Sequence, residues 1–164
     1  MEIRGFLTNL GKYNEGYLVG EWVTFPIDED EQEEILARIG INEEYEEYFF
    51  TDWEGYDFGQ YVSIEYVNEI VERIDKIGDD DLIGAMFEVE SSEIERVLER
   101  IEGGRYFWYG KDSTIYEIAQ RYMDEIMESF DVPDVVKRHI NYDSYADELE
   151  DSLKETSYGV IELL

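Results

Sequence analysis

Glu65 and Glu69, and again Glu95 and Glu99, are carboxylate pairs four residues apart. On a helix that spacing sets charges in a row, rising about 6 Å per step along one face. Such rows can work as acid and base, hold a hard cation, or present negative charge to a basic partner. Acid/base work needs one defined pair of carboxylates. Pairs occur all along this chain, so spacing singles none out. Asp79-Asp80-Asp81 is a candidate cation site, but a calcium loop needs alternating ligands, a central glycine and a distal glutamate. The triplet therefore reads as a helix cap, with diffuse Ca²⁺ or Mg²⁺ association as the alternative. His139 is the only histidine, and there is no cysteine. A transition-metal site or a nucleophilic triad would rest on that one imidazole. No glycine-rich phosphate loop is present. No cofactor and no metal are expected, and disulfides are excluded.

What remains is the negative charge itself. Against 43 acids stand 13 bases, a net charge of −30 in 164 residues. Charge of this size speaks to partners rather than to fold, and the commonest large basic surface in a cell is the groove of a nucleic-acid-binding protein. Direct binding of nucleic acid is not expected, because the bases are scattered and Lys137-Arg138 is the only adjacent pair. Duplex DNA carries one charge per about 1.7 Å of axis, so thirty charges match roughly 50 Å of duplex, or about 15 base pairs. A solvated face serving solubility is the plainer alternative, and salt adaptation is another.

Acidity alone could signal disorder, but disordered acidic chains are poor in aromatics. Here 43% of residues are hydrophobic and 15% aromatic, enough for a core. The elements that must position the charges follow from periodicity. Ile3 to Leu10 reads as a strand, residues 11–16 as a loop, and Tyr17 to Phe25 as a second strand stopped by Pro26. Asp28 to Glu34 leads into a short helix with Ile35, Leu36 and Ile39, ended by Gly40. Tyr48 to Trp53 reads as a third strand. Ser63 caps a helix with Ile64, Val67, Ile70, Val71, Ile74 and Ile77 inward, closed by Gly78. The Asp79 triplet caps another helix with Leu82, Met86 and Phe87. Ser92 and Glu95 form a capping box before Ile94, Val97, Leu98 and Ile101. Gly103-Gly104 is the best candidate boundary. Beyond it come a strand at Tyr106 to Tyr109 and a Thr114/Glu117 capping box. A short helix follows from Pro133 to about Ile140, then one capped by Asp143 with Ala146 and Leu149 buried, and a closing strand from Thr156 to Leu163.

The expected fold class is α+β: an elongated chain of three small modules. Residues 1–61 form an α+β module, 62–103 a helical one, and 104–164 a second α+β module. They carry 16 acids against 3 bases (−13), 13 against 4 (−9) and 14 against 6 (−8). A tail would concentrate the charge at one end; here the whole body carries it. The first residues lack a basic stretch followed by a long apolar one, and no run approaches the roughly 18 apolar residues of a membrane span. The expectation is a soluble, cytoplasmic protein with no membrane partner.

One stretch is specific. Asn9-Leu10-Gly11-Lys12-Tyr13-Asn14-Glu15-Gly16, then Leu18-Val19-Gly20 with Trp22, then Thr24-Phe25-Pro26-Ile27-Asp28, resembles the opening of the ArdA antirestriction family. The resemblance continues through Asn42 to Tyr48 and Thr51-Asp52-Trp53-Glu54. It returns at Ile118-Ala119-Gln120-Arg121-Tyr122, at Val132-Pro133 and from Ile140 to Leu149. It is strongest at the N-terminus and weakest across 62–103.

The resemblance implies a homodimeric DNA mimic, with no turnover, that occupies the DNA groove of the methyltransferase core of type I restriction-modification enzymes. It places the dimer contact in the last module, where Tyr142, Tyr145, Tyr158 and Val160 are candidates; an internal core role is the alternative for each. For the mimicking surface the candidates are Asp28, Glu29, Asp30 and Glu31; Glu43, Glu44, Glu46 and Glu47; Glu65 and Glu69; Asp79, Asp80 and Asp81; and Glu95 and Glu99. Lys12 to Gly16 reads as a structural loop. Two other functions stay open: mimicry aimed at a nucleoid protein, repressor or other nuclease, and an enzyme built on a carboxylate pair.

Overall fold

A computed structural model describes residues 1–164. The fold is α+β, with eight helices and two three-stranded antiparallel sheets. The chain divides into two compact units, Met1–Gly78 and Asp79–Leu164. Charge is shared evenly between them: 20 acids against 5 bases in the first and 23 against 8 in the second, −15 each.

The first unit contains β1 (Arg4–Asn9), α1 (Leu10–Asn14), β2 (Gly20–Thr24), α2 (Glu29–Arg38), β3 (Tyr48–Glu54) and α3 (Ile64–Ile77). The longest strand partner set is central, giving the order β2-β1-β3. Leu7, Phe50 and Ile3 are fully buried. Ile35 of α2 and Ile39 just past its end come to this core, and Ile64, Val67 and Val71 from α3. The period of α3 is as expected: its apolar positions face inward, Ser63 accepts a hydrogen bond from Tyr66 N, and Gly78 closes it in the left-handed conformation, φ 64°. Only a residue without a Cβ adopts that conformation cheaply.

The second unit contains α4 (Asp80–Val89), α5 (Ile94–Glu102), β4 (Tyr106–Lys111), α6 (Ile115–Ser129), α7 (Asp134–Lys137), α8 (Tyr142–Leu149), β5 (Leu153–Glu155) and β6 (Gly159–Leu163). Its sheet order is β4-β6-β5. Val160 and Leu153 meet Ile115 and Ile118 of α6 in a small core, with Ala146 and Leu149 of α8 half-buried against it. Thr114 and Glu117 make the reciprocal capping box expected of them. No helix is long and apolar enough to cross a membrane.

Five local expectations need correction. Residues 10–14 form a helical turn instead of an open loop, because the Asn9 side chain caps it by accepting from Lys12 N at 2.9 Å. Strand β2 begins at Gly20, three residues later than Tyr17. Helix α5 is preceded by Glu93, whose side chain makes no cap bond; Ser92 is not the cap. Asn141, not Asp143, caps α8, accepting from Ser144 N at 3.2 Å. The closing strand is a hairpin. Thr156 Oγ1 accepts from Tyr158 N at 3.1 Å and Gly159 N at 3.2 Å, folding the chain back between β5 and β6.

Asn9 joins three elements at once. It ends β1, caps α1, and donates through Nδ2 to the carbonyls of Ile39 (3.2 Å) and Gly40 (3.1 Å) just past α2. It is completely buried, so each lost bond leaves a group without water to replace the partner. Asn9→Ala removes the cap and strands two carbonyls, and is expected to cost about 2–4 kcal/mol. Chemical denaturation checks this: a midpoint equal to that of the parent chain would mean the clip carries no stability.

Candidate functional site

Helices α2 and α3 bury their apolar faces in the same core and turn their acidic positions into one shared groove. Glu29 and Glu33 of α2 and Glu65, Glu69 and Glu72 of α3 line it, together with Gln32, Asn68 and Ile27, around about 510 Å³. The spacing on each helix is the 3.6-residue repeat. What brings the two rows together is Asn68: its side chain donates to the Ile27 carbonyl at 2.7 Å and accepts from Ile27 N at 2.8 Å. Those two bonds tie α3 to the segment just before α2.

The remaining acids at the start of α2 have more than one use. Asp28 caps the helix by accepting from Glu31 N at 2.8 Å. Glu29, Asp30 and Glu31 lie in the first turn, where the helix dipole favours negative charge. All four are exposed.

A second acidic concavity, about 450 Å³, is walled by Glu43, Glu44, Glu46 and Glu47 around Tyr45. Asn42 Oδ1 accepts from Glu44 N at 2.8 Å and Tyr45 N at 3.1 Å, which shapes the loop. The Tyr45 ring rests on Gly11, where an added Cβ would come within 2.4 Å of it. Lys12 Nζ donates to the Tyr45 hydroxyl at 2.7 Å, and that hydroxyl donates to Glu15 at 2.9 Å. The Tyr45 bond, with Glu15 nearby, holds the lysine pKa above its ordinary value. Lys12, Glu15 and Gly11 thus brace the acidic loop from behind.

In the second unit the Asp79 triplet is occupied internally. Asp79 caps α4 through Leu82 N at 2.9 Å and accepts from Trp108 Nε1 at 3.1 Å. Asp81 pairs with Lys111 at 3.2 Å. Asp80 is the exposed member. Glu95 and Glu99 lie exposed on α5, opposite buried Ile94, Val97, Leu98 and Ile101.

The four candidates for a dimer contact are spread over different surroundings. Val160 is fully buried within its own unit. The Tyr158 ring lies over Gly84 of α4, where a Cβ would approach it to 2.4 Å. Tyr142 donates to Asp124 at 2.8 Å. Tyr145 is half-buried and lines a mostly apolar groove of about 300 Å³ with Tyr122, Ile126 and Phe130, to which Glu125 and Ser129 also contribute. Sequence reasoning missed Phe130, 78% exposed, along with exposed Val135 and Val136 on α7. It also missed Glu33 and Glu72. Their i,i+4 and i,i+3 offsets from Glu29 and Glu69 were readable, but which two helices share a groove was not.

His139 is exposed. No group of three or more His, Asp or Glu side chains is arranged to hold a metal ion. The chemistry on offer is collective: two acidic concavities in the first unit and exposed carboxylate rows in both.

The family model of the antirestriction protein ArdA matches residues 6–162. No curated protein matches the chain.

Within the α2/α3 groove, Glu65 is electrostatically distinct. Its carboxylate accepts from its own backbone N–H, from the Ser63 hydroxyl and from the Gln32 amide, and these bonds hold its pKa below the ordinary glutamate value. A depressed folded pKa adds stability that is present above the unfolded value and is lost as pH falls through the folded one. Gln32→Ala is expected to move the Glu65 midpoint up toward the ordinary value. A side-chain carbon NMR titration measures it; an unmoved midpoint would show that Gln32 does not hold the carboxylate.

Proposed function

The chain belongs to the ArdA antirestriction protein family, and we propose that it acts as a mimic of duplex DNA. On this proposal it fills the DNA-binding groove of type I restriction-modification enzymes, against their methyltransferase core. The observation that carries the proposal is the α2/α3 groove, in which two helices present five carboxylates along facing rows. Even sharing of the charge, −15 on each unit, supports an extended contact rather than a single acidic spot.

The mechanism is substitution. Lys and Arg side chains that neutralise phosphates on DNA meet carboxylates instead. Phosphate contacts supply most of the sequence-independent affinity for DNA, so no base edge needs to be imitated. The protein offers no base to methylate and no strand to cut, so it inhibits competitively and without turnover. It does so in the cytoplasm, where such an enzyme meets DNA.

The proposal includes a homodimer joined through the second unit. Support comes from the apolar groove beside Tyr145 and from exposed Ile126, Phe130, Val135 and Val136, an apolar surface unusual in so acidic a chain. Tyr142 lies on the same helix, α8. Of the other two candidates, Tyr158 is exposed over Gly84 of α4 and Val160 is buried within the unit.

In a competition assay with a purified type I methyltransferase and its DNA site, the chain should displace DNA stoichiometrically, and less well as salt rises. Replacing Glu29, Glu33, Glu69 and Glu72 by Gln one after another should weaken inhibition in steps, each under about 1 kcal/mol. Failure to compete at low salt would overturn the proposal, and a collapse of activity from one neutral substitution would point to an enzyme. Recovery from host lysate of a repressor or nucleoid protein, without type I subunits, would redirect the mimicry to that target. For the dimer, light scattering should give twice the chain mass, and Phe130→Asp should halve it; a wild-type mass of one chain would remove the dimer from the proposal.

A further inference from the structure

Phe49 is buried, yet two tyrosine rings packed on it face solvent. Tyr13, 49% exposed, meets it edge-on at 5.1 Å between centroids; Tyr61, 77% exposed, stacks on it at 6.1 Å and 24°. Tyr61 also walls a concavity of about 410 Å³ whose other sides are Leu10, Tyr48, Glu46 and Glu47. An aromatic residue and two glutamates, which also border the neighbouring acidic concavity, therefore share its lining. Charge mimicry alone requires only the carboxylates. A duplex presents no aromatic face beside its phosphates, so Tyr61 adds something the DNA backbone lacks.

The occupant is fixed by complementarity. Two carboxylates exclude an acidic group and disfavour a purely apolar one. Of the two common cations, ammonium is compact and strongly hydrated. Guanidinium is planar and weakly hydrated; it stacks on aromatic rings while its N–H fork pairs with a carboxylate. A cation over a tyrosine face gains most where water is excluded.

We propose that the concavity between Tyr61 and Glu46–Glu47 receives an arginine side chain from the basic surface of the bound enzyme, stacked on Tyr61 and paired with one of the two glutamates. The identity of that enzyme rests on the function proposed above; the preference for arginine does not. The contact supplies affinity that salt screens only in part, because stacking of the guanidinium on the ring does not depend on released counterions.

The test uses the full chain with Tyr61→Ala, Tyr61→Leu and Tyr61→Phe. Tyr61 is largely exposed, and thermal midpoints will show whether the variants keep the fold. Hexa-arginine and hexa-lysine peptides serve as probes in calorimetric titrations. The wild-type chain should prefer the arginine peptide, and the Ala and Leu variants should lose about threefold of that preference, while Phe keeps it. Against the methyltransferase, Ala and Leu should bind about tenfold more weakly with an unchanged slope of log affinity on log salt. The double change Glu46→Gln and Glu47→Gln should flatten that slope. Equal peptide preference in wild type and Tyr61→Ala would overturn the site, as would unchanged enzyme affinity in Tyr61→Ala. A chain that keeps its Tyr61-dependent arginine preference but does not compete with DNA would support the site while overturning the proposed function.

Discussion

Like-charge repulsion is the constraint on which the rest of this structure depends. Thirty uncompensated negative charges must stay apart while a 164-residue chain folds, and at physiological ionic strength screening reaches only about 8 Å. Each unit therefore builds its own small core and turns its carboxylates outward. Four of the scarce cations sit at seams between elements. Arg4 pairs with Glu54 across β1 and β3, and Arg38 with Glu21 between α2 and β2. Lys111 joins β4 to the start of α4, and Arg100 of α5 pairs with Glu90 and donates to the last carbonyl, that of Leu164. Exposed pairs of this kind contribute little each. Their placement matters more than their sum, since each ties together two elements of the same unit.

The same constraint divides the acids into two classes. Some are internal acceptors: Asp79 takes the Trp108 indole, Glu155 takes Ile115 N, and Glu88 takes Ser157 N. Others, such as Glu29, Glu33, Glu69 and Glu72, line a groove open to solvent. The named acceptors belong to the unit Asp79–Leu164 and bond groups within it, whereas the groove acids belong to Met1–Gly78. A partner's basic surface can engage these four acids without breaking a bond that the fold requires, as the proposed mimicry needs. Rigidity matters because ordering a flexible acidic chain on binding would consume much of the electrostatic gain.

How far sequence discloses this arrangement depends on the range of the interaction. Helix α3 was legible from end to end because its period, its Ser63 cap and its Gly78 terminus are all local. The α+β class and the Thr114 box were legible for the same reason. Asn9 was not read as a cap, since half of its role lies with carbonyls thirty residues away, at Ile39 and Gly40. Between Asn141 and Asp143 either side chain can cap; the extended backbone at Asn141, φ −95° and ψ 91°, decides it. For the acidic surface, sequence located the carboxylates but could not separate groove from clamp. In a chain this acidic, every cap and every clamp has acidic neighbours, so Asp79 and Asp81 looked like Glu69 until Trp108 and Lys111 were placed beside them.

The stretch through which the chain first resembles its family contains several residues with defined architectural roles. Asn9 clips three elements, Gly11 admits the Tyr45 ring, and Lys12 and Glu15 hold the Tyr45 hydroxyl. Each of those residues has a defined geometry that few side chains could supply. The groove carboxylates face no such demand. Electrostatic attraction to a basic surface sums over many charges, and moving one by a helical turn changes the total little. Family membership is therefore legible in the clips, while the proposed mimicry rests on residues that are individually replaceable. A sequence can thus identify the family of such a protein and still leave open which carboxylates share a groove until the helices are placed.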